Sequence, residues 1–296
     1  MHEGEDRVTV DLARRLVDAQ FPQWRELPLE EVDNWGTVNA IFRLGEGLSV
    51  RFPLVPSPPG PGRAELEVAA EASRELARHV SVDVPRPVAI GEPGEGYGGC
   101  WMVQTWIDGA VVDGSLADGS AELAEDLARF IKELRRAPLR GRTHGGEGRG
   151  GDLWSRDGWV QECLARSAGM LDTRRLGGWW ARYRELAREA HDVMSHGDLL
   201  PANLLVTQGR LCGVLDVGGF GPADPALDLM GAWSIFGSSV REGFRSHIGC
   251  DQLTWLRARA WAFEQALGLV WYYAISNPPM CEQGRRTLER IVDESE

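Results

Sequence analysis

The sequence predicts an α+β protein with two lobes, a small antiparallel sheet followed by a mainly helical region. Three observations carry that expectation. Short β-like runs punctuated by Gly and Pro fill the first third of the chain. Amphipathic helical spacing dominates after Asp108. A single extended stretch, "CWMVQTWID", stands between the two patterns. The expected division is an N-terminal lobe over 1–105 and a helical C-terminal lobe over 106–296.

The elements follow in order. Val8 to Phe21 sets Val10, Leu12, Leu16, Val17 and Phe21 largely on one side of a helix. "EVDNWG", "NAIFRLGEG" and "LSVRFPLV" read as short strands, with Gly45-Glu46-Gly47 turning a hairpin. "PSPPGPG" reads as a loop and Arg63 to Val80 as a helix. "VPRPVAIGE" and "CWMVQTWID" supply two more strands. Ser120 to Arg136 is amphipathic, with Leu123, Leu127, Phe130, Ile131 and Leu134 on its apolar side. Arg140 to Gly151, rich in Gly and Arg, reads as a flexible connection. Helices are expected at about 157–169 and 177–193 and again to the C-terminus, with Asn277-Pro278-Pro279 breaking the last long one.

The chemistry concentrates in "HGDLLPANLLVTQGRLCGVLDVGG", His196 to Gly219. Asp198 sits in a tight loop. Asn203 opens a strand, Gln208-Gly209-Arg210 turns the chain, and Asp216 stands at the exit of the return strand. An antiparallel hairpin brings its open ends together. Asn203 and Asp216 are thereby expected to be neighbours, with Asp198 one loop away. Oxygen donors of this kind suit Mg²⁺, which keeps waters and substrate phosphates in its shell. A carboxylate beside them suits phosphoryl transfer, where positioning and charge neutralisation do most of the work.

The D-x4-N-x12-D spacing resembles the catalytic and metal loops of the aminoglycoside phosphotransferase family, relatives of the protein kinases. "GPADPALDLMGAW" resembles the family's next segment. The resemblance extends to "GTVNAIFRLGEGLSVRFPL" near the start and to the helical "AFEQALGLVWYY" near the end. It implies a protein-kinase-like fold, Asp198 as catalytic base, Asn203 and Asp216 as Mg²⁺ ligands, and ATP or GTP as phosphoryl donor. It also implies a lysine on the third strand. Here that strand carries Arg51, and Lys132 is the only lysine of the chain. Arg51 is therefore expected to hold phosphate, a role its forked guanidinium suits. Its acidic partner is expected to be Glu71, with Glu67 as the alternative. Gly36 in "NWGTVN" would lie over phosphate, and the backbone of Gln104 and Trp106 would meet the base.

Other features have plainer readings. Gly94 to Gly99 fits G-x-G-x-x-G, yet it joins two strands and comes after Arg51, so it reads as a hairpin turn. His196 and Asp224 read as groups that brace the loop. Asp228 suits either that task or the acceptor site. Asp157, Glu162 and Glu264 are candidates to bind an amine-bearing acceptor, and some of the 12 tryptophans to line a sugar or macrocycle site.

A formal net charge of −12 argues against nucleic acid as partner and fits a cationic small molecule. The longest apolar run, Ala266 to Ile275, is too short to cross a bilayer. "MHEGEDR" lacks a signal-peptide layout, and five scattered cysteines without a C-x-x-C pair suggest reduced thiols in a cytoplasm. The expected activity is O-phosphorylation of a small molecule, foremost an aminoglycoside or similar antibiotic. The alternatives are a macrolide, a peptide antibiotic or a metabolite as acceptor, or a pseudokinase that binds nucleotide without turnover.

Overall fold

The computed structural model describes residues 8–32, 38–112 and 117–294. Gly36 and most of "NWGTVN" lie outside the described residues. The chain divides into two compact units. One comprises Met1–Arg78, Asp83–Asp108 and Gly213–Gly218, and the other His79–Val82, Gly109–Cys212 and Gly219–Glu296.

The first unit is built on five antiparallel strands, β1 (Leu29–Glu31), β2 (Asn39–Leu44), β3 (Leu48–Pro53), β4 (Pro87–Gly91) and β5 (Trp101–Thr105). Their order is β1-β2-β3-β5-β4. Alternation decides which side chains go inward. Phe42, Leu44, Val50, Phe52, Trp101 and Val103 are fully buried, and they pack with Leu16 and Val17 of helix α1 (Val10–Gln20). Thr9 caps that helix by accepting from the Leu12 N–H. Gly45 turns the β2–β3 hairpin at φ 61°, a left-handed conformation that glycine adopts at the least steric cost.

Helix α2 runs Pro59–Leu76, beginning inside the stretch expected to be a loop. Proline is tolerated in a first helical turn because no N–H partner is needed there, so Pro59 and Pro61 begin the helix instead of blocking it. The Gly94–Gly99 stretch is a hairpin turn, with Gly94 and Tyr97 exchanging backbone hydrogen bonds. The Tyr97 hydroxyl donates to the Pro53 carbonyl at 2.8 Å. Gly91 faces Trp101, and a Cβ there would lie 2.1 Å from its ring. Gly91→Ala is therefore expected to lower stability by about 1–3 kcal/mol through overpacking, read as a lower midpoint in thermal unfolding.

The second unit is mainly helical: α3 (Ala121–Leu134), α4 (Asp157–Arg166), α5 (Thr173–Tyr183), α6 (Gly231–Ile235), α7 (Ser238–Ile248), α8 (Gln252–Tyr272) and α9 (Pro278–Asp293). Helix α8 is the spine. Trp255, Ala258, Trp261, Phe263 and Leu267 are buried along it, and α9 packs on it. Asn277 caps α9 by accepting from the Met280 N–H, so the Asn-Pro-Pro break falls between two helices as expected.

The expected hairpin is present as β8 (Leu204–Thr207) and β9 (Arg210–Val214), and three short strands outside the sequence expectation join it: β6 (Ala110–Val111), β7 (Val193–Ser195) and β10 (Gly221–Ala223). The helix expected over 177–193 ends at Tyr183, and β7, paired with β10, leads into His196. Strands β6, β8 and β9 form a three-stranded sheet in that order. Asp126 of α3 holds the β8–β9 turn. It accepts from Arg210 Nε at 2.6 Å and from the Leu211 N–H at 3.1 Å. The Arg210 hydrogen bond keeps its carboxyl below the usual range despite burial.

Candidate active site

Within the second unit, Asp198 is the focus. Gly197, at φ 86°, turns the chain after β7. The buried Asp228 carboxylate accepts from the N–H groups of His196 (3.1 Å) and Gly197 (2.9 Å). His196 Nδ1 accepts from the Asp198 N–H at 3.2 Å. His196 and Asp228 thus hold the backbone beneath Asp198. For Asp228 this replaces the candidate acceptor contact, because both its oxygens are turned to backbone and it is 2% exposed.

The Asp198 carboxylate is held by three side chains. Arg149 Nη2 and Gln265 Nε2 both donate to Oδ1 at 2.8 Å. Asn203 Nδ2 donates to Oδ2 at 3.2 Å and to the Asp198 carbonyl at 2.8 Å. Asn203 closes a 3₁₀ turn, Pro201–Asn203, immediately before β8. With its amide nitrogen committed to Asp198, its amide oxygen is the end left to act as a ligand.

Arg149 lies in the segment expected to be a flexible connection. That segment is held at several points. His144 Nε2 meets the Arg149 carbonyl at 3.0 Å, and the Asp224 N–H donates to the Gly150 carbonyl at 2.8 Å. Arg257 Nη2 donates to the Gly151 carbonyl at 2.9 Å. Burial opposes the Arg149 charge, but Asp198 and Glu264 outweigh it and push its pKa up. Asp224 is the buried partner of Arg257, whose Nε lies 2.7 Å from Oδ2, and it also accepts from the Ala226 N–H.

The remaining acidic candidates are already paired. Glu264 Oε1 accepts from Arg156 Nε (2.9 Å) and Nη2 (2.7 Å). Asp157 accepts from Arg184 (2.8 Å) and Trp180 Nε1 (2.9 Å). Burial works against its charge, and those hydrogen bonds outweigh it, so its carboxyl sits below the usual range. Glu162 meets Arg166 across one helical turn at 3.4 Å.

The first unit carries the other group. Arg51, central in β3, lies 3.2 Å from Asp216 Oδ1. Asp216 follows β9 in a left-handed backbone conformation, φ 54°. Together they border a cavity of about 140 Å³. Asn39 and Gln104 complete its polar side, and Leu66, Ala69, Met102 and Val217 its apolar one. Glu71 does not meet Arg51. It lies 3.5 Å from Arg74 and 3.8 Å from Arg78 on its own side of α2 and beyond, while Glu67 pairs with Arg63 at 3.0 Å. Helical phase explains this, since the cavity-facing positions of α2 are Leu66, Ala69 and Ser73. Trp106 donates from Nε1 to Asp108 at 2.9 Å, and the Arg43 guanidinium lies 5.0 Å from its ring centroid.

A family model, APH, described as the phosphotransferase enzyme family, matches residues 31–262. The chain belongs to that family. Among relatives, an aminoglycoside 3'-phosphotransferase of Escherichia coli is 29% identical over 200 residues, which is 60% of this chain and 66% of that protein. The chain therefore spans just under two thirds of that relative. Among solved structures, the GDP and kanamycin complex of APH(2")-IIIa superposes on this chain with TM-score 0.74 at 19% identity, covering 95% of this chain and 98% of that one. The macrolide 2'-phosphotransferase of Brachybacterium faecium superposes with TM-score 0.59 at 20% identity, covering 88% and 91%. These likenesses show the fold, the kinase-like α+β arrangement expected from the sequence. No helix among its described residues is long and apolar enough to cross a membrane.

Proposed function

We propose that the protein transfers the γ-phosphoryl group of a nucleoside triphosphate to a hydroxyl of a small, antibiotic-type molecule. The observation that carries this reading is the Asp198 carboxylate, fixed from below by Asp228 and His196 and oriented by Asn203 and Gln265. A carboxylate so placed accepts the proton of an attacking hydroxyl. Family membership and the likeness to aminoglycoside and macrolide phosphotransferases support the acceptor class. The sequence places an aminoglycoside first and a macrolide among the alternatives.

Asn203 and Asp216 are the proposed ligands of Mg²⁺. The donor chemistry fits, with one free amide oxygen and one half-exposed carboxylate. Mg²⁺ completes its shell with water and substrate phosphate, so two protein oxygens can hold it. The ion would supply charge neutralisation on the transferring phosphoryl group. Arg51 is the proposed phosphate cation and Gln104 a contact to the base. Glu71 is set aside as the partner of Arg51, since Asp216 occupies that place.

Steady-state turnover with ATP or GTP, Mg²⁺ and a panel of hydroxyl-bearing antibiotics tests the proposal. Acceptor-dependent release of nucleoside diphosphate is expected, with Asp216→Ala losing about 10²-fold or more of kcat/KM and needing higher Mg²⁺. Nucleotide binding without turnover on any acceptor would favour the pseudokinase instead.

A further inference from the structure

We propose that the acceptor carries little positive charge near its reacting hydroxyl and lies along α8 from Gln265 to Tyr272, with Trp159 as the surface it stacks on. The inference rests on Asp198 being the base. Gln265, Gly268 and Tyr272 recur at i, i+3 and i+7, so they share one helix face. Gln265 touches Asp198, so the face begins at the chemistry. At Gly268 the Trp159 indole lies close against the helix, where an added Cβ would meet its ring at 3.2 Å. Trp159 stays half-buried, its ring centroid 6.0 Å from that of Trp271, and Tyr272 beyond is exposed. Indole and phenol rings present flat apolar faces that suit the C–H faces of a sugar or macrocycle.

Charge along this face argues against a polycation. The charged group that meets the base is a cation, Arg149, on the carboxylate oxygen that also binds Gln265. Glu264, the acid next in sequence to Gln265, is buried and neutralised by Arg156. An ammonium beside Asp198 would meet Arg149 at close range and find no uncommitted acid among the candidates. Neutral hydroxyls, ethers and ester carbonyls would instead accept from Arg149 and Gln265.

Two probes test this with the full-length protein, Mg²⁺ and nucleotide: kanamycin as polycation, and a macrolide bearing one amine. The wild-type kcat/KM is expected to be at least about tenfold higher for the macrolide. Trp159→Ala is expected to raise the macrolide KM about tenfold, acting on KM more than on kcat, with Trp159→Phe recovering most of it. Arg149→Gln is expected to narrow the gap by lowering the kanamycin KM, an effect a purely structural role would not produce. Preference for kanamycin in the wild type, or an unchanged KM in Trp159→Ala, overturns the inference and leaves the phosphotransferase function standing. Turnover with neither probe, while another acceptor of the panel is phosphorylated, also overturns the inference and leaves the function standing, whereas nucleotide binding without turnover on any acceptor removes both.

Discussion

Asp198→Ala is expected to lower kcat by about 10²–10⁴-fold, with nucleotide affinity held. The reasoning starts from what the carboxylate touches. Its backbone is anchored by Asp228 and His196, which the substitution leaves in place, so the loop keeps its course. What disappears is the carboxylate proposed to accept the hydroxyl proton. Asp198→Asn is expected to be as inactive for an added reason. Arg149 and Gln265 demand an acceptor at Oδ1, so an asparagine would turn its amino group toward the Asn203 amide nitrogen, setting donor against donor. Single-turnover kinetics beside nucleotide titration separates chemistry from binding. A kcat within about tenfold of wild type in both variants would remove Asp198 from the chemistry.

Arg257→Met is expected to cost about 3–5 kcal/mol of stability. Arg257 and Asp224 are 2% and 1% exposed, so removing the cation leaves an uncompensated buried carboxylate. The guanidinium also satisfies the carbonyls of Leu186 (2.6 Å) and Gly151 (2.9 Å), which would lose their partner. Chemical denaturation measures the loss. The double replacement Arg257→Met with Asp224→Leu is expected to recover part of it, since no lone charge then remains buried. A loss below about 1 kcal/mol for the single variant would mean that water reaches the pair.

Much of the fold was legible because it follows local rules. Alternation in "NAIFRL" and "LSVRFP" and the Gly45 turn specify a hairpin, and helical spacing specifies α3. The Asp198–Asn203 neighbourhood was legible because five residues separate them. Arg149 and Gln265 were not, since they reach Asp198 across 49 and 67 residues, and neither has a local signature. The one hint was the Gly- and Arg-rich composition around Arg149, which reads equally well as a linker. Glu71 failed for a different reason. On a helix, a change of two residues moves a side chain to another face, and the sequence alone did not fix the phase of α2 against β3. Composition counts charges without showing that Asp157, Glu162 and Glu264 each sit beside an arginine or that Asp228 is turned to backbone N–H groups.

Asp216 occupies a backbone region where glycine would rest more comfortably by about 1 kcal/mol. Folding alone would favour glycine here, so the aspartate is a local concession of foldedness to the carboxylate it displays. Stabilising redesign of this molecule should leave that position alone, however attractive the substitution looks on backbone grounds.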